Sequence, residues 1–452
     1  MGGKIERRRF LKYSLLTSAA LLTGPNRLAR AGALDNSRVV VIGAGCSGLS
    51  AARTLADSGA SVTVIEAKPH IGGRLLTDWS LGAPFEIGAG WIHGPDAENP
   101  SRQLADSVGG KYVVTDDENL MVYNSKGEKL SEDALKEIDE NWADALDQLD
   151  NALESHDSRS LRDALSGRLG EEGFEWAMSA YTEFSTGGPI EDLSAVLHDD
   201  GKAFGSPDVV VTTGYDAILK PLAYGLDIKY STIVSAIQYS DRGVIVKTSD
   251  GDFDADYVIC SVPLGVLKAG SVIFEPPLPN SYRESIDEIG FGSVTKIAFK
   301  FDKAFWDTGT QYFGILTQPK GRWNYWMNYR TFTDQNIILG ISVGAYAEVA
   351  DKLSDTEIAK DAFEVLRGVW KGNVGEPTQM LRTSWSTDPY SLGAYAYPTP
   401  GLKKSQFDRL SEPIEDRLLL CGEHTIFDYA GTTHGAYMSG LRAAELILNQ
   451  KS

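Results

Sequence analysis

The chain has little sulfur chemistry to offer. Three cysteines stand among 452 residues, Cys46, Cys260 and Cys421, widely separated and with no C-x-x-C pair. That excludes a disulfide framework and a cysteine-based zinc site. Six histidines are scattered without metal-ligand spacing, so no metal is expected. Long apolar runs are missing too: the mild stretch from Tyr13 to Thr23 falls far short of the roughly 20 residues that span a bilayer, and no stable membrane anchor is expected. Base is scarce as well, with 43 Lys and Arg against 62 Asp and Glu, a net charge of −19. Residues 1–31 carry seven basic side chains and one acid, and their +6 leaves −25 for the remainder. Such a balance excludes nucleic acid as an expected partner and draws cationic ligands, although plain solubility is the commoner reason for acidity.

What is present begins with that basic leader. "ERRRFLKYSLLTSAALLTG" sets Arg7 and Arg8 ahead of a short apolar stretch, and "ARAG" (Ala29 to Gly32) supplies small residues for cleavage after Ala31. Residues 1–31 thus have the pattern of a twin-arginine export signal, which predicts a transient encounter with the export machinery and a periplasmic or secreted location. The length predicts more than one domain.

The first dense apolar segment is "VVVIGAGCSGLSAARTLADSGASVTVIEAK", residues 39–68. Val39–Ile42 suits a strand buried on both faces. Gly43, Gly45 and Gly48 follow at G-x-G-x-x-G spacing, then a helix ending at Gly59, then a strand from Ser61 to Ile65 that delivers Glu66. Glycines there permit a tight turn and close approach of a pyrophosphate to the helix N-terminus, and the acid can accept from ribose hydroxyls. A bare glycine triplet is weak evidence; strand, triplet, helix, strand and acid in order are strong evidence for dinucleotide binding.

Further along, Leu135, Ile138, Trp142, Leu146, Leu149 and Leu153 recur at helical spacing. Strand-like runs fill 208–268, "VTKIAFKF" and "NIILGISVGAY" add strands, and 354–371 reads as a helix. "RLLLCGEHT" followed by "TTHGAYMSGLRAAELILNQ" reads as a strand delivering into a helix. Strand-rich and helix-rich stretches alternate without a linker, so two interleaved domains are expected.

After Glu66 comes "AKPHIGGRLLTD", a continuation that a nicotinamide enzyme does not need. It resembles the flavin-containing monoamine and polyamine oxidase family. "FEIGAGWIHG", "ADYVICSVPLGVLK", "GSVTKIAFKF", "SWSTDPYSLGAYAYPTPG" and "LLLCGEHTIFDYAGTTHGAYMSGLRAAELI" continue the resemblance in the family's order over most of residues 37–450. It implies an α/β fold in which a Rossmann-like FAD-binding domain (33–95, 205–290 and 400–452) is interleaved with an α+β substrate-binding domain (96–204 and 291–399). Gly43, Gly45, Gly48, Glu66 and Ala67 would hold the adenosine diphosphate half of FAD, with Val234 at the adenine. Gly73, Arg74, Gly90 and Trp91 would lie against the pyrophosphate and flavin, Trp385 and Tyr390 beside the isoalloxazine, and Gly422, Glu423 and Thr433 at the ribityl chain and flavin. The helix beginning near Thr433 would turn its positive end towards the flavin. No cysteine matches a covalent-flavin position, so FAD is expected to be non-covalent.

The family reaction removes hydride from the carbon beside an amine nitrogen to flavin N5; the imine is hydrolysed, and oxygen takes the electrons to give hydrogen peroxide. The resemblance to polyamine oxidases implies a polyamine as substrate. It gives Lys296, His93 and Tyr395 catalytic roles, and places Glu183, Thr432, Tyr395 and His93 around the substrate. Asp199 and Asp200 are weaker acidic candidates. Read from periodicity alone, Lys296 shares with Ala298 and Lys300 the face opposite Ile297, Phe299 and Phe301, and such a lysine is ordinarily solvated. A lone tyrosine in "GAYAY", a lone histidine in "WIHG" and a lone glutamate in "YTEF" are by themselves ordinary packing or surface residues. The alternatives are an L-amino-acid or monoamine oxidase, or a flavin carrier without turnover. An amino-acid oxidase needs an arginine for the carboxylate, and "GAGWIHG" has none.

Overall fold

Five parallel strands form the frame of the dinucleotide unit, in the order Leu418–Leu420, Tyr257–Cys260, Arg38–Ile42, Ser61–Ile65, Asp227–Lys229, in a computed structural model that describes Leu34 and residues 37–450. The export-signal expectation for residues 1–31 lies outside the described residues. Val39 to Ile42 are buried on both faces because helices and a second sheet cover the two sides, as their unbroken β-branched run requires. Each such side chain contributes about 1.5–3 kcal/mol relative to exposure. The helices Cys46–Asp57 and Thr433–Gln450 pack on one face, their Leu49, Leu55, Ala444 and Ile447 sharing one core with Val39 and Val41. A four-stranded sheet of 234–275 lies on the other.

The second unit is a six-stranded sheet ordered Gln379–Arg382, Val294–Lys300, Ile337–Val343, Tyr325–Asn328, Tyr312–Ile315, Leu120–Tyr123. Its helix Glu132–Ala152 starts at Ser131, whose hydroxyl accepts from Ala134 N–H, with Glu132 and Asp133 in the first turn where the dipole favours acids. Helix Asp355–Trp370 opens with a reciprocal Ser354–Glu357 capping box. Both faces of this sheet are covered: Ile297 and Phe299 face one core, Val294 and Ala298 another.

One expected boundary moves. Helix Pro100–Ser107 buries Ala105 in the dinucleotide core, and strand Tyr112–Val114 pairs with Val209–Val211. The chain therefore leaves that unit after Val114 rather than at residue 96. Residues 81–85 go the other way, burying Leu81 and Phe85 in the core of the second unit. Among the described residues no helix is long and apolar enough to cross a membrane, and no group of three or more His, Cys, Asp and Glu could hold a metal ion.

Candidate active site

One cavity of about 2420 Å³ runs from the glycine loop, between the two units, to an acidic mouth. At its outer end Gly43 has φ +99°, and a Cβ there would stand 2.5 Å from Ser261 Oγ. A Cβ on Gly48 would meet Gly43 O at 2.0 Å. Gly48 does not line the cavity, so its part is to seat the helix on the strand, not to touch a ligand. Gly45 does line it, with only Gly72 O within reach of an added Cβ, at 3.8 Å. Gly45 also caps the helix Cys46–Asp57 without a side-chain hydrogen bond, and Cys46 and Ser47 of the first turn line the cavity. The helix end thus keeps its anion-binding character. Glu66 ends the second strand, buried, its two oxygens accepting from Ala44 N–H (2.7 Å) and Lys68 N–H (2.8 Å). Those bonds fix the carboxylate and leave lone pairs for hydroxyl donors. Ala67, Gly73 and Val234 complete this end of the lining.

Deeper in, Arg74 donates to Glu423 Oε1 (2.8 Å) and Ala394 O (2.7 Å). Burial works to raise the Glu423 carboxyl, yet the charge of Arg74 and the N–H of Ala396 hold it below its ordinary value. Trp385 Nε1–H donates to Ile87 O (2.9 Å), while Lys68, ion-paired with Asp388, lies 5.3 Å from the Trp385 ring centre. Tyr390, Gly90, Trp91, Gly422 and Thr433 also line this part. The Thr433 helix begins at the cavity, and Thr433 O accepts from Cys46 Sγ (3.7 Å), which ties the two helix starts together.

Lys296 is not on a solvated face. It is 7% exposed, because the sheet face it occupies looks into the cavity and the second core rather than into water. Its ammonium donates to Glu86 O (3.0 Å) and Gly88 O (2.5 Å) and sits 5.9 Å from the Trp91 ring centre. Burial brings it down to about 8, opposed by the nearby Glu86 charge. Glu86, to which no motif in the sequence assigns a role, is pushed up to about 7 by burial, against hydrogen bonds from Tyr215 N–H and Thr77 Oγ–H and the Lys296 charge. An acid inside the otherwise apolar "FEIGAGW" was the available signal.

Tyr395 lies in a slot floored by Gly187 and Gly431, and its hydroxyl donates to Phe184 O (3.1 Å). His93 reaches the mouth with its ring held by Asp208. Two expected substrate contacts are otherwise engaged. Thr432 Oγ donates to Tyr429 O (2.8 Å) and accepts from Gly435 N–H (2.9 Å), capping the carboxy-terminal helix, although the residue still borders the cavity. Glu183 ends a π-helical turn, Met178–Glu183; the wider turn leaves Ala180, Tyr181 and Thr182 on the cavity but swings Glu183 to Lys320 and Ile190 N–H, away from the lining. Asp199 borders the mouth; Asp200 instead pairs with Lys404 at 2.7 Å.

The cavity fits FAD by its own features: an uncapped helix N-terminus, an anchored ribose-type acid, and an aromatic inner end. Cys260 and Cys421 are buried outside the lining, and burial pushes the Cys46 thiol up to about 12, so no thiolate is offered for a covalent link. Residues 46–448 match the family model described as flavin containing amine oxidoreductase. Over 434 residues the chain is 31% identical to probable polyamine oxidase 4 of Arabidopsis thaliana, covering 90% of this chain and 86% of that one. It is 30% identical to polyamine oxidase 4 of Oryza sativa subsp. japonica (90% and 88% covered), and 32% identical to lysine-specific histone demethylase 1 homolog 2 of Arabidopsis (91% and 58% covered). In fold it is similar to a putrescine oxidase solved with putrescine, with a TM-score of 0.76 at 20% identity over 92% of this chain and 99% of that one. The grip on a dinucleotide, the aromatic inner chamber and these likenesses together establish that the chain belongs to the flavin-containing amine oxidoreductase family, with FAD held without a covalent bond.

Proposed function

We propose that the chain is a polyamine oxidase that releases hydrogen peroxide and works outside the cytoplasm after twin-arginine export. FAD supplies the two-electron acceptor. The protein's share is to bind a cation, strip its water and hold the reacting carbon against the cofactor face. The observation that carries the polyamine reading is the distribution of charge along the cavity. Asp96, Glu98, Asp116, Asp117, Glu118 and Asp199 stand on the lining at exposed or half-buried positions, while Trp91, Phe184, Tyr325 and Tyr395 line it at half-buried or buried ones. An acidic mouth attracts the distal ammonium groups of a long amine, and an apolar interior favours the neutral form at the reacting nitrogen.

An amino acid would need a cation for its carboxylate, and each Lys or Arg on the described lining already has a partner: Lys68 has Asp388, Arg74 has Glu423, Lys202 has Asp428, Lys296 has two carbonyls, and Arg442 has Thr425 with its Nε unpaired. Comparing kcat/KM for spermidine, benzylamine and leucine, with peroxide and aldehyde both measured, tests the proposal. A clear preference for the monoamine or the amino acid overturns it.

A further inference from the structure

The mouth of the cavity contains a pair that no motif joins. Strand Trp91–Ile92 runs antiparallel to Val209–Val211 with Ile92 opposite Val209, so His93 and Asp208 meet just beyond the pairing. His93 Nδ1 stands 2.5 Å from Asp208 Oδ2. We infer that Asp208 is a positioning residue that fixes His93 as its Nδ1–H tautomer, leaving Nε2 to accept the proton an incoming ammonium must lose. The inference rests on the amine-oxidising reading of the site.

An ionised carboxylate only accepts, so the proton of that contact belongs to Nδ1. Asp208 is buried and cannot turn away. Its other oxygen accepts from Gly94 N–H (3.1 Å), and its carbonyl accepts from Thr115 N–H (2.8 Å) and Oγ–H (3.0 Å). The histidine's own backbone is held from the opposite side, where the fully buried Asn99 donates through Nδ2 to His93 O (2.8 Å) and Gly94 O (3.0 Å). What remains free is the outer edge of the ring: the His93 side chain is 53% exposed and borders the cavity. The neighbouring His434 stands edge-on to Phe204 and Tyr429, and burial brings it down to about 3.

The step balances without a co-reactant. The N–H bond of the substrate ammonium breaks, its electron pair stays on nitrogen as the lone pair that hydride loss requires, and a new Nε2–H bond forms. The imidazolium keeps Nδ1–H on Asp208, whose fixed charge lies against the ring, an arrangement that works because the carboxylate holds both tautomer and orientation.

The test uses holoenzyme with nitrogen-labelled histidine. There are six histidines to resolve, and His93→Gln identifies the signal. Wild-type His93 should read as Nδ1–H; an Nε2–H tautomer there overturns the inference whether or not any variant folds. Asp208→Asn should switch the tautomer and slow anaerobic flavin reduction by a polyamine about tenfold or more, with flavin content and spectrum retained. Asp208→Glu, still an ionised acceptor, should restore Nδ1–H and most of the rate. In a His93→Gln background Asp208→Asn should change the rate by less than about twofold. An equal loss in both backgrounds overturns the link to His93. A wild-type protein that no amine reduces overturns the functional reading itself, whereas the tautomer alone decides the positioning claim.

Discussion

Replacing Lys296 with Met should separate function from folding. Folding brings the ammonium down from 10.5 to about 8, which makes burying its charge cost about 3 kcal/mol at neutral pH. Met removes that cost but strands the two carbonyls, Glu86 O and Gly88 O, at about 1–3 kcal/mol each. The net lies between about 1 kcal/mol gained and about 3 kcal/mol lost, so the melting temperature should move by no more than a few degrees, while turnover falls about tenfold or more, roughly 1.4 kcal/mol of barrier. The pH dependence supplies a second signature. Between about 8 and 10.5 the unfolded chain holds a proton that the folded one has released, so wild-type stability gains as pH rises through that window. The Met variant lacks this gain. Chemical denaturation at several pH values and stopped-flow reduction and reoxidation measure both. Lys300→Met is the control: it loses a single bond to Leu81 O (2.8 Å) outside the cavity lining and should turn over normally. Near-wild-type turnover in Lys296→Met, or an unchanged rise in stability above pH 8, would rule out a catalytic, buried ammonium at Lys296.

Gly48→Ala should destabilise the protein by about 1–3 kcal/mol and weaken FAD binding, since its Cβ meets Gly43 O at 2.0 Å; Gly45→Ala should fold normally and weaken FAD binding alone, as flavin titration of the apoprotein would report. Glu423→Gln should cost stability at neutral pH, and the deficit should shrink as acid lowers the pH through the depressed folded value, because the wild-type carboxylate then protonates and loses Arg74; melting curves from pH 7 to pH 3 check the sign. Acid precipitation should leave the flavin in the supernatant, and yellow pellets would contradict non-covalent binding.

The dinucleotide grip was legible because every part of it is local. The β-branched run, the glycine spacing and the terminal acid lie within residues 39–68, and the structure places them as strand, helix and strand at Arg38–Ile42, Cys46–Asp57 and Ser61–Ile65. Helices 132–152 and 355–370 were legible for the same reason: a face repeats every three or four residues, and a serine with nearby acids marks the start. The assignment of residues 96–114 was not, since the partner of Tyr112–Val114 lies about a hundred residues on and no local pattern names it.

Around the site the division follows the same physics. Alternation assigned Lys296 a side of its strand but could not say what covers that side; only the packing of two units made it a cavity wall. The family resemblance sets Glu183 around the substrate, yet a π-helical turn directs it to Lys320. The resemblance sets Thr432 at the substrate, whereas its hydroxyl caps a helix. The Asp208–His93 pair spans 115 residues and exists because one short antiparallel pairing sets its register. Propensity and spacing act over a few residues, so the strands and helices of the dinucleotide unit and the cofactor class they grip are written in local sequence. Which polar groups face the ligand and which satisfy one another depends on packing, because burial and hydrogen-bond partners are properties of the folded chain.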